Sequence, residues 1–182
     1  MDLMEAVGEL ESSDELHQAR LLVLLLAFAG ESGIGKIEGL TKLAKLDFLL
    51  RYPVFLERAL KKRNASTRQV QLQPHEEMSV ESKMVRYRFG PWDHRYRRFL
   101  NLLAGKGLVE LGIDGRTVIV GLTQTGRDYA QSLAESPCFH DVARRAQSLN
   151  THFNISGSHL MKFIYETFPE ILSLRSNQPI TP

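Results

Sequence analysis

The chain carries a single cysteine, Cys138, among 182 residues, so no internal disulfide can hold it together. Long apolar runs are missing as well. The run at 21–29 covers nine residues, well short of the roughly 20 that span a bilayer as a helix, and it reads as a buried core helix. The opening stretch MDLMEAVGELESSDE is acidic where a secretory leader is basic and then apolar. These absences set the expectation of a cytoplasmic protein without a membrane span, in which the sequons Asn64-Ala-Ser66 and Asn154-Ile-Ser156 are chance matches.

Signatures of chemistry are scarce too. His17, His75, His94, His140, His152 and His159 form no H-E-x-x-H pair, and Cys138 with His140 lacks a second ligand pair, so no metal site is expected. No G-x-S-x-G elbow occurs, and no motif places an acid for catalysis. One stretch argues the other way. In GESGIGKI, residues 30–37, Gly30, Gly35 and Lys36 fit the phosphate-loop pattern G-x-x-x-x-G-K. Ile37 then stands where a Ser or Thr hydroxyl would meet Mg²⁺, and the residues before Gly30 read as helix where the motif needs a strand. The stretch is better explained as a loop between two helices. The chain is expected to be no enzyme and to hold no cofactor.

What is present points to one main domain with an ordinary soluble composition, 43% hydrophobic. The net charge of +2 conceals a strong segregation. Residues 1–31 hold seven acids against one base, Arg20; residues 58–68 hold five bases and no acid; residues 83–98 hold six bases against Asp93. Charge separated in this way can orient a chain on a nucleic acid or an acidic partner, or can simply mark solvated faces.

The element pattern begins with an S-x-x-E capping box at Ser12 and Glu15, then the 21–29 helix, with Gly30 at its end. A second helix over KIEGLTKLAKLDFLLRYP turns Leu40, Leu43, Leu46 and Leu50 inward and leaves Lys42 and Lys45 outside, with Pro53 ending it. A short helix through VFLERALKKR follows. Residues 64–79 lose periodicity and read as an exposed, partly flexible polar insertion. Val85, Tyr87 and Phe89 alternate with arginines as a short strand, which Gly90 and Pro91 stop. Pro91 opens a helix carrying Trp92, Tyr96, Phe99, Leu100 and Leu103 toward the core, with Asp93 in its first turn. Trp92 reads as a core anchor rather than a stacking platform. Residues 108–122 form a hairpin around Asp114-Gly115, and TQTGRDYAQSLAE begins a further helix capped by Thr123 or Thr125. The expected fold is therefore mainly α with a small β-hairpin: a winged helix-turn-helix core over 12–135. A helical extension over 138–175, too small to fold alone, packs on that core or on a partner, and 1–11 and 176–182 are tails.

The sharp functional feature is the basic helix. His94, Arg95, Arg97 and Arg98, beside Arg86 and Arg88 of the preceding strand and Arg116 in the wing tip GIDGRT, could contact phosphates, and Asn101 a base edge. The competing reading is that these arginines pair with the acidic N-terminal segment or with a partner protein. Leu160, Phe163, Ile164 and Phe168, close together on a C-terminal helix, read as a partner-docking face.

The stretches GKIEGLTKLAKLDFLLRYP, MVRYRFGPWDHRYRRFLNLLAGKGLVEL, LTQTGRDYA and SHLMKFIYETFPEI, in that order over most of the chain, resemble the winged-helix middle components of bacterial three-component ABC-ATPase defence systems, the small subunit of Lamassu-type systems among them. The resemblance implies a non-catalytic accessory subunit in an anti-phage or anti-plasmid hetero-oligomer. Its partners would be an SMC/Rad50-like coiled-coil ATPase and an effector such as a nuclease, with double-stranded DNA as a further contact. It leaves residues 1–14 and 64–79 uncovered. The alternative is a homodimeric winged-helix transcription regulator in which the C-terminal helices make the two-fold interface.

Overall fold

The computed structural model describes residues 13–77, 83–88 and 90–182. The tail at 1–11, the cap at Ser12, residues 78–79 of the insertion and Phe89 lie outside these. The architecture is mainly helical with small antiparallel sheets.

Helix α1, Asp14–Ala29, is capped by Ser13, whose Oγ accepts the Leu16 N–H at 3.2 Å. Apolar residues cover most of its circumference, so it can be stable only when surrounded. It runs through the centre of the protein, against the strand Thr117–Leu122 and the helices Tyr96–Gly105, Gln124–Glu135 and His140–Phe153. Gly30, at φ 67°, ends it. The next stretch corrects an expectation. Ile37–Glu38 is a strand, β1, with Ile37 paired to Val120, so GESGIGKI joins a helix to a strand rather than two helices. Helix α2 follows at Leu40–Arg51, and Pro53 opens α3, Pro53–Lys62, at its first position. Lys42 and Lys45, expected outside, are buried, because neighbouring elements cover α2: β1, the strand Gly90–Trp92, α3 and the helices His140–Phe153 and Gly157–Thr167.

The segment after α3 is largely exposed, as expected, and is tied down at Val70 and Glu76. Arg145 is 3% exposed; its Nε donates to Val70 O at 2.7 Å and its Nη1 and Nη2 grip the Glu76 carboxylate at 2.7 and 2.8 Å. That bidentate clamp fixes the 3₁₀ turn Pro74–Glu77, and Val70 is buried.

Strands β2, Val85–Tyr87, and β3, Gly90–Trp92, form an antiparallel pair, and helix α4 begins only at Tyr96, running to Gly105. Gly90 and Pro91 thus lie in a second strand where they were expected to stop the first, and Pro91 does not open the helix. The reason is legible in the ladder. Arg86, opposite Pro91, spends its backbone N–H on Gln178 O at 2.9 Å and its carbonyl on Asn177 N at 2.7 Å, so proline's missing N–H costs no bond. Residues 176–182 are accordingly not a tail. They run beside β2, Ile180 N donates to Met84 O at 2.8 Å, Tyr52 Oη donates to Ile180 O at 3.2 Å, and Ile180 is buried.

The hairpin is as expected. Strands β4, Val109–Asp114, and β5, Thr117–Leu122, turn at Gly115, and the three-stranded sheet runs β1–β5–β4. Thr123 then caps α5, Gln124–Glu135: its Oγ1 accepts from Gly126 N at 2.9 Å and donates to Gly107 O at 2.6 Å. Gly126 is required there, since a Cβ would lie 1.7 Å from Leu108 O.

Past the 3₁₀ turn Pro137–Phe139, helices α6 (His140–Phe153), α7 (Gly157–Thr167) and α8 (Pro169–Ser173) close the structure. Helix α6 packs on α1 and α2, and α7 on α2 and α3. Leu160, Ile164 and Phe168 are fully buried in the same core as α1 and α2, and Phe163 is half-buried against Phe153, ring centroids 5.3 Å apart. Phe168 sits edge-on to Phe48 and Phe55 at 5.9 and 5.0 Å. The expected docking face is therefore internal packing. The residues that looked unpartnered along one helix are partnered by α2 and α3. Among the described residues no helix is long and apolar enough to cross a membrane.

Candidate nucleic-acid interface

Helix α4 has one wet and one dry face for a simple reason of spacing. Tyr96, Phe99, Leu100 and Leu103, at i, i+3, i+4 and i+7, are buried, so Arg97, Arg98, Asn101 and Leu102 are left outside. Arg97, Arg98 and Asn101 share that outer surface, and the chain then passes directly into the β4–β5 hairpin, whose turn exposes Arg116.

The other expected contact residues are placed differently. Arg95 is half-buried. It holds Asp93 through Nε at 3.0 Å and Nη2 at 2.8 Å, reaches Asp14 at 3.7 Å, and lies over the Phe99 ring at 5.2 Å. Arg98 pairs with Asp14 as well, but that pair is far more exposed. The acidic N-terminal segment thus does take up part of the basic helix, through Asp14. Arg86 is half-buried under the C-terminal segment. His94 lies on that segment too, its Nε2 3.2 Å from Asn177 Oδ1 and its ring edge-on to Tyr87. Arg88 is exposed, with its guanidinium 5.9 Å from the Tyr87 ring.

Beneath this surface lies an ionic network that sequence reasoning missed. Asp47, fully buried, accepts from Arg20 Nε at 2.7 Å, Arg51 Nη2 at 2.6 Å and Tyr96 Oη at 2.6 Å. Arg51 continues to Asp93 at 2.9 Å, and Asp93 to Arg95. Burial alone would raise the pKa of both carboxyls. The guanidiniums around them outweigh it and hold both well below the usual carboxylate range. His17 lies inside the same network, stacked on Phe99 with ring centroids 5.7 Å apart and its Nδ1 2.8 Å from Arg20 Nη2. Burial and the neighbouring arginines lower its pKa to about 3, so it is neutral. The available signal was Asp47 itself, a charge between Leu46 and Phe48 on an otherwise apolar face.

The surface can therefore offer guanidiniums and an amide to phosphates and base edges, on a helix held from behind by a rigid polar network. Lys36, the lysine of the phosphate-loop lookalike, instead pairs with Glu110 at 2.9 Å, in a helix–loop–strand order opposite to the one such a loop needs. Among the described residues no cluster of three or more His, Cys, Asp or Glu is arranged to hold a metal ion. No protein-family model, no curated protein and no solved structure matches the chain.

Proposed function

We propose that the chain is a non-catalytic winged-helix module that lays α4 against duplex DNA and serves as an accessory subunit of an SMC/Rad50-like ATPase assembly. Arg97, Arg98 and Asn101 face the groove and its phosphates, and Arg116 meets the flanking backbone from the wing tip. The observation carrying this reading is topological. Elements α1, β1, α2, α4, β4 and β5 succeed one another in winged-helix order, the strands bond as β1–β5–β4, and the helix that feeds the hairpin exposes a basic face. Helix α3 and the β2–β3 pair stand as insertions between the second and third helices of that plan. The Arg98–Asp14 pair fits the reading, because an exposed ion pair is worth little and exchanges readily for a phosphate. The accessory role rests on the sequence resemblance. Since α7 is built into the core, docking falls to other surfaces.

Anisotropy of a labelled duplex over a salt series tests the DNA contact. Each phosphate neutralised contributes about 0.9 to the log–log salt slope, so the triple variant Arg97→Ala, Arg98→Ala, Arg116→Ala is expected to flatten the slope by about 2 to 3. Unchanged binding by the triple variant would refute the assignment. Sequence-selective footprints with half-sites about one helical turn apart would move the reading to a homodimeric regulator. Native mass spectrometry of the tagged chain from its own cells tests the accessory role, which a chain recovered without a coiled-coil ATPase would sink.

A further inference from the structure

Lys45 is a buried cation without a carboxylate partner among the described residues. It is 2% exposed, and its Nζ donates to Thr41 O at 3.1 Å, which uses one of three ammonium hydrogens. No carboxylate among the described residues lies within ion-pair distance of it, in contrast to Arg20, Arg51 and Arg145, each of which has one. A buried ammonium without a counter-ion is a net cost to folding. Burial lowers its pKa to about 8, still charged for the most part at neutral pH.

The surroundings of Lys45 suggest what the charge is for. It lines a cleft of about 270 Å³ between α2, the β2–β3 pair and the start of α4, together with Arg88, Arg97, Tyr87 and Trp92. Both arginines are exposed, and neither pairs with a carboxylate among the described residues. No acidic residue lines the cleft. Gly90, at φ 114°, forms part of its wall, where an added Cβ would stand 3.9 Å from Lys45 Cε. One buried and two exposed cationic side chains therefore line a concave space with two aromatic residues at its side.

We infer that this cleft binds a phosphoryl group, with Lys45 at its floor and Arg88 and Arg97 at its rim. The group belongs to a nucleic-acid backbone or to a small phosphorylated molecule; the chemistry of recognition is the same. Only Arg97 is shared with the duplex surface of α4, so the inference does not rest on the DNA-binding reading.

The cleft contains its own reporter, because Trp92 is the only tryptophan in the chain. The full chain and its Lys45→Met variant are titrated with inorganic phosphate and with ribose 5-phosphate at constant ionic strength, reading Trp92 fluorescence, and with a labelled duplex, reading anisotropy. Saturable quenching or enhancement by the phosphates is expected, with at least a tenfold weaker Kd in Lys45→Met and an unchanged or higher melting temperature. A lysine kept only for the Thr41 bond would give the opposite: a lower melting temperature and an unchanged Kd. Duplex affinity falling in step with phosphate affinity assigns the group to a nucleic-acid backbone; duplex affinity unchanged while phosphate binding is lost assigns it to a small molecule. Should Lys45→Met fail to fold, Arg88→Gln at the exposed rim carries the same expectation with about a threefold loss. No saturable response to either phosphate in the unaltered chain, or an unchanged Kd in the variants, overturns the inference.

Discussion

Replacing Asp47 by Asn isolates the buried network from the surface above it. Asp47 is fully buried and accepts from Arg20, Arg51 and Tyr96 at once. The substitution keeps the volume and one acceptor oxygen but removes the charge facing two guanidiniums whose side chains are 10% and 4% exposed. Breaking a buried pair by removing one partner costs about 3–5 kcal/mol, mostly the penalty of the uncompensated charge left behind. Arg51 retains Asp93, so the lower end applies, about 3 kcal/mol. With a urea m-value of about 2 kcal/mol/M, the unfolding midpoint should fall by about 1.5 M at unchanged m. Asp14→Asn is the control. It removes an acid from the long, half-buried contact with Arg95 and the more exposed pair with Arg98 and should cost less than about 1 kcal/mol. Equal shifts in the two variants, or a loss below about 1 kcal/mol for Asp47→Asn, would show that the network does not stabilise the fold through its charges.

Acid should unfold the protein in two stages. His17 stays neutral down to about pH 3 in the folded state, whereas the unfolded chain protonates it near its ordinary 6.5, so its contribution is complete above pH 6.5 and declines as pH falls toward 3. Asp47 and Asp93, both held below the ordinary carboxylate value of 3.8, add a steeper loss as pH falls below that value; urea midpoints at about pH 7, 5, 4 and 2.5 read both stages, and a flat profile would contradict the assignment. Gly126→Ala should destabilise by at least about 2 kcal/mol, since its Cβ meets the Leu108 carbonyl and neither backbone can give way; Gly105→Ala, with open space around it, should be neutral or slightly stabilising in the same thermal melts. Phe168→Ala should cost about 3–5 kcal/mol in urea unfolding, where a solvent-facing docking residue would cost almost nothing.

The elements legible in the sequence were those whose signals are local. The β4–β5 hairpin is written in Asp114-Gly115, the α5 cap in Thr123 or Thr125, of which Thr123 serves, and the α4 core stripe in Tyr96, Phe99, Leu100 and Leu103, although Trp92, read as the first member of that stripe, lies in β3. What misled was periodicity read without its partners. An apolar cluster such as Leu160, Ile164 and Phe168 looks the same whether its cover is another protein or another part of its own chain, and here α2 and α3 supply the cover. Lys42 and Lys45 fell on what one helix alone presents as its polar face, but a central helix has no outside. The Gly90-Pro91 pair was read as a strand stop because the rule concerns ladder bonds, and only the partner register reveals that Pro91 has none to lose. Residues 176–182 carry one apolar side chain, Ile180, too little pattern to announce a strand-like pairing with residues near Met84.

The contact surface and the buried network are not independent features. Helix α1 is apolar on nearly every side, so hydrophobic burial alone barely distinguishes one rotation of it from another. Arg20 does distinguish them. Its two bonds to Asp47 can form in only one rotation and one register of α1 against α2. Tyr96, the first residue of α4, donates to the same carboxylate, so α1, α2 and α4 meet at one buried charge. Asp93 then extends the network to Arg95 and, through Asp14, to Arg98 at the surface. The network grades from fully buried at Asp47 to exposed at Arg98, so the inner members hold the helix in position while the outermost remains cheap to displace. On the proposed reading, a basic face built this way would meet a duplex already oriented and would give up only an exposed ion pair that contributes little to the fold.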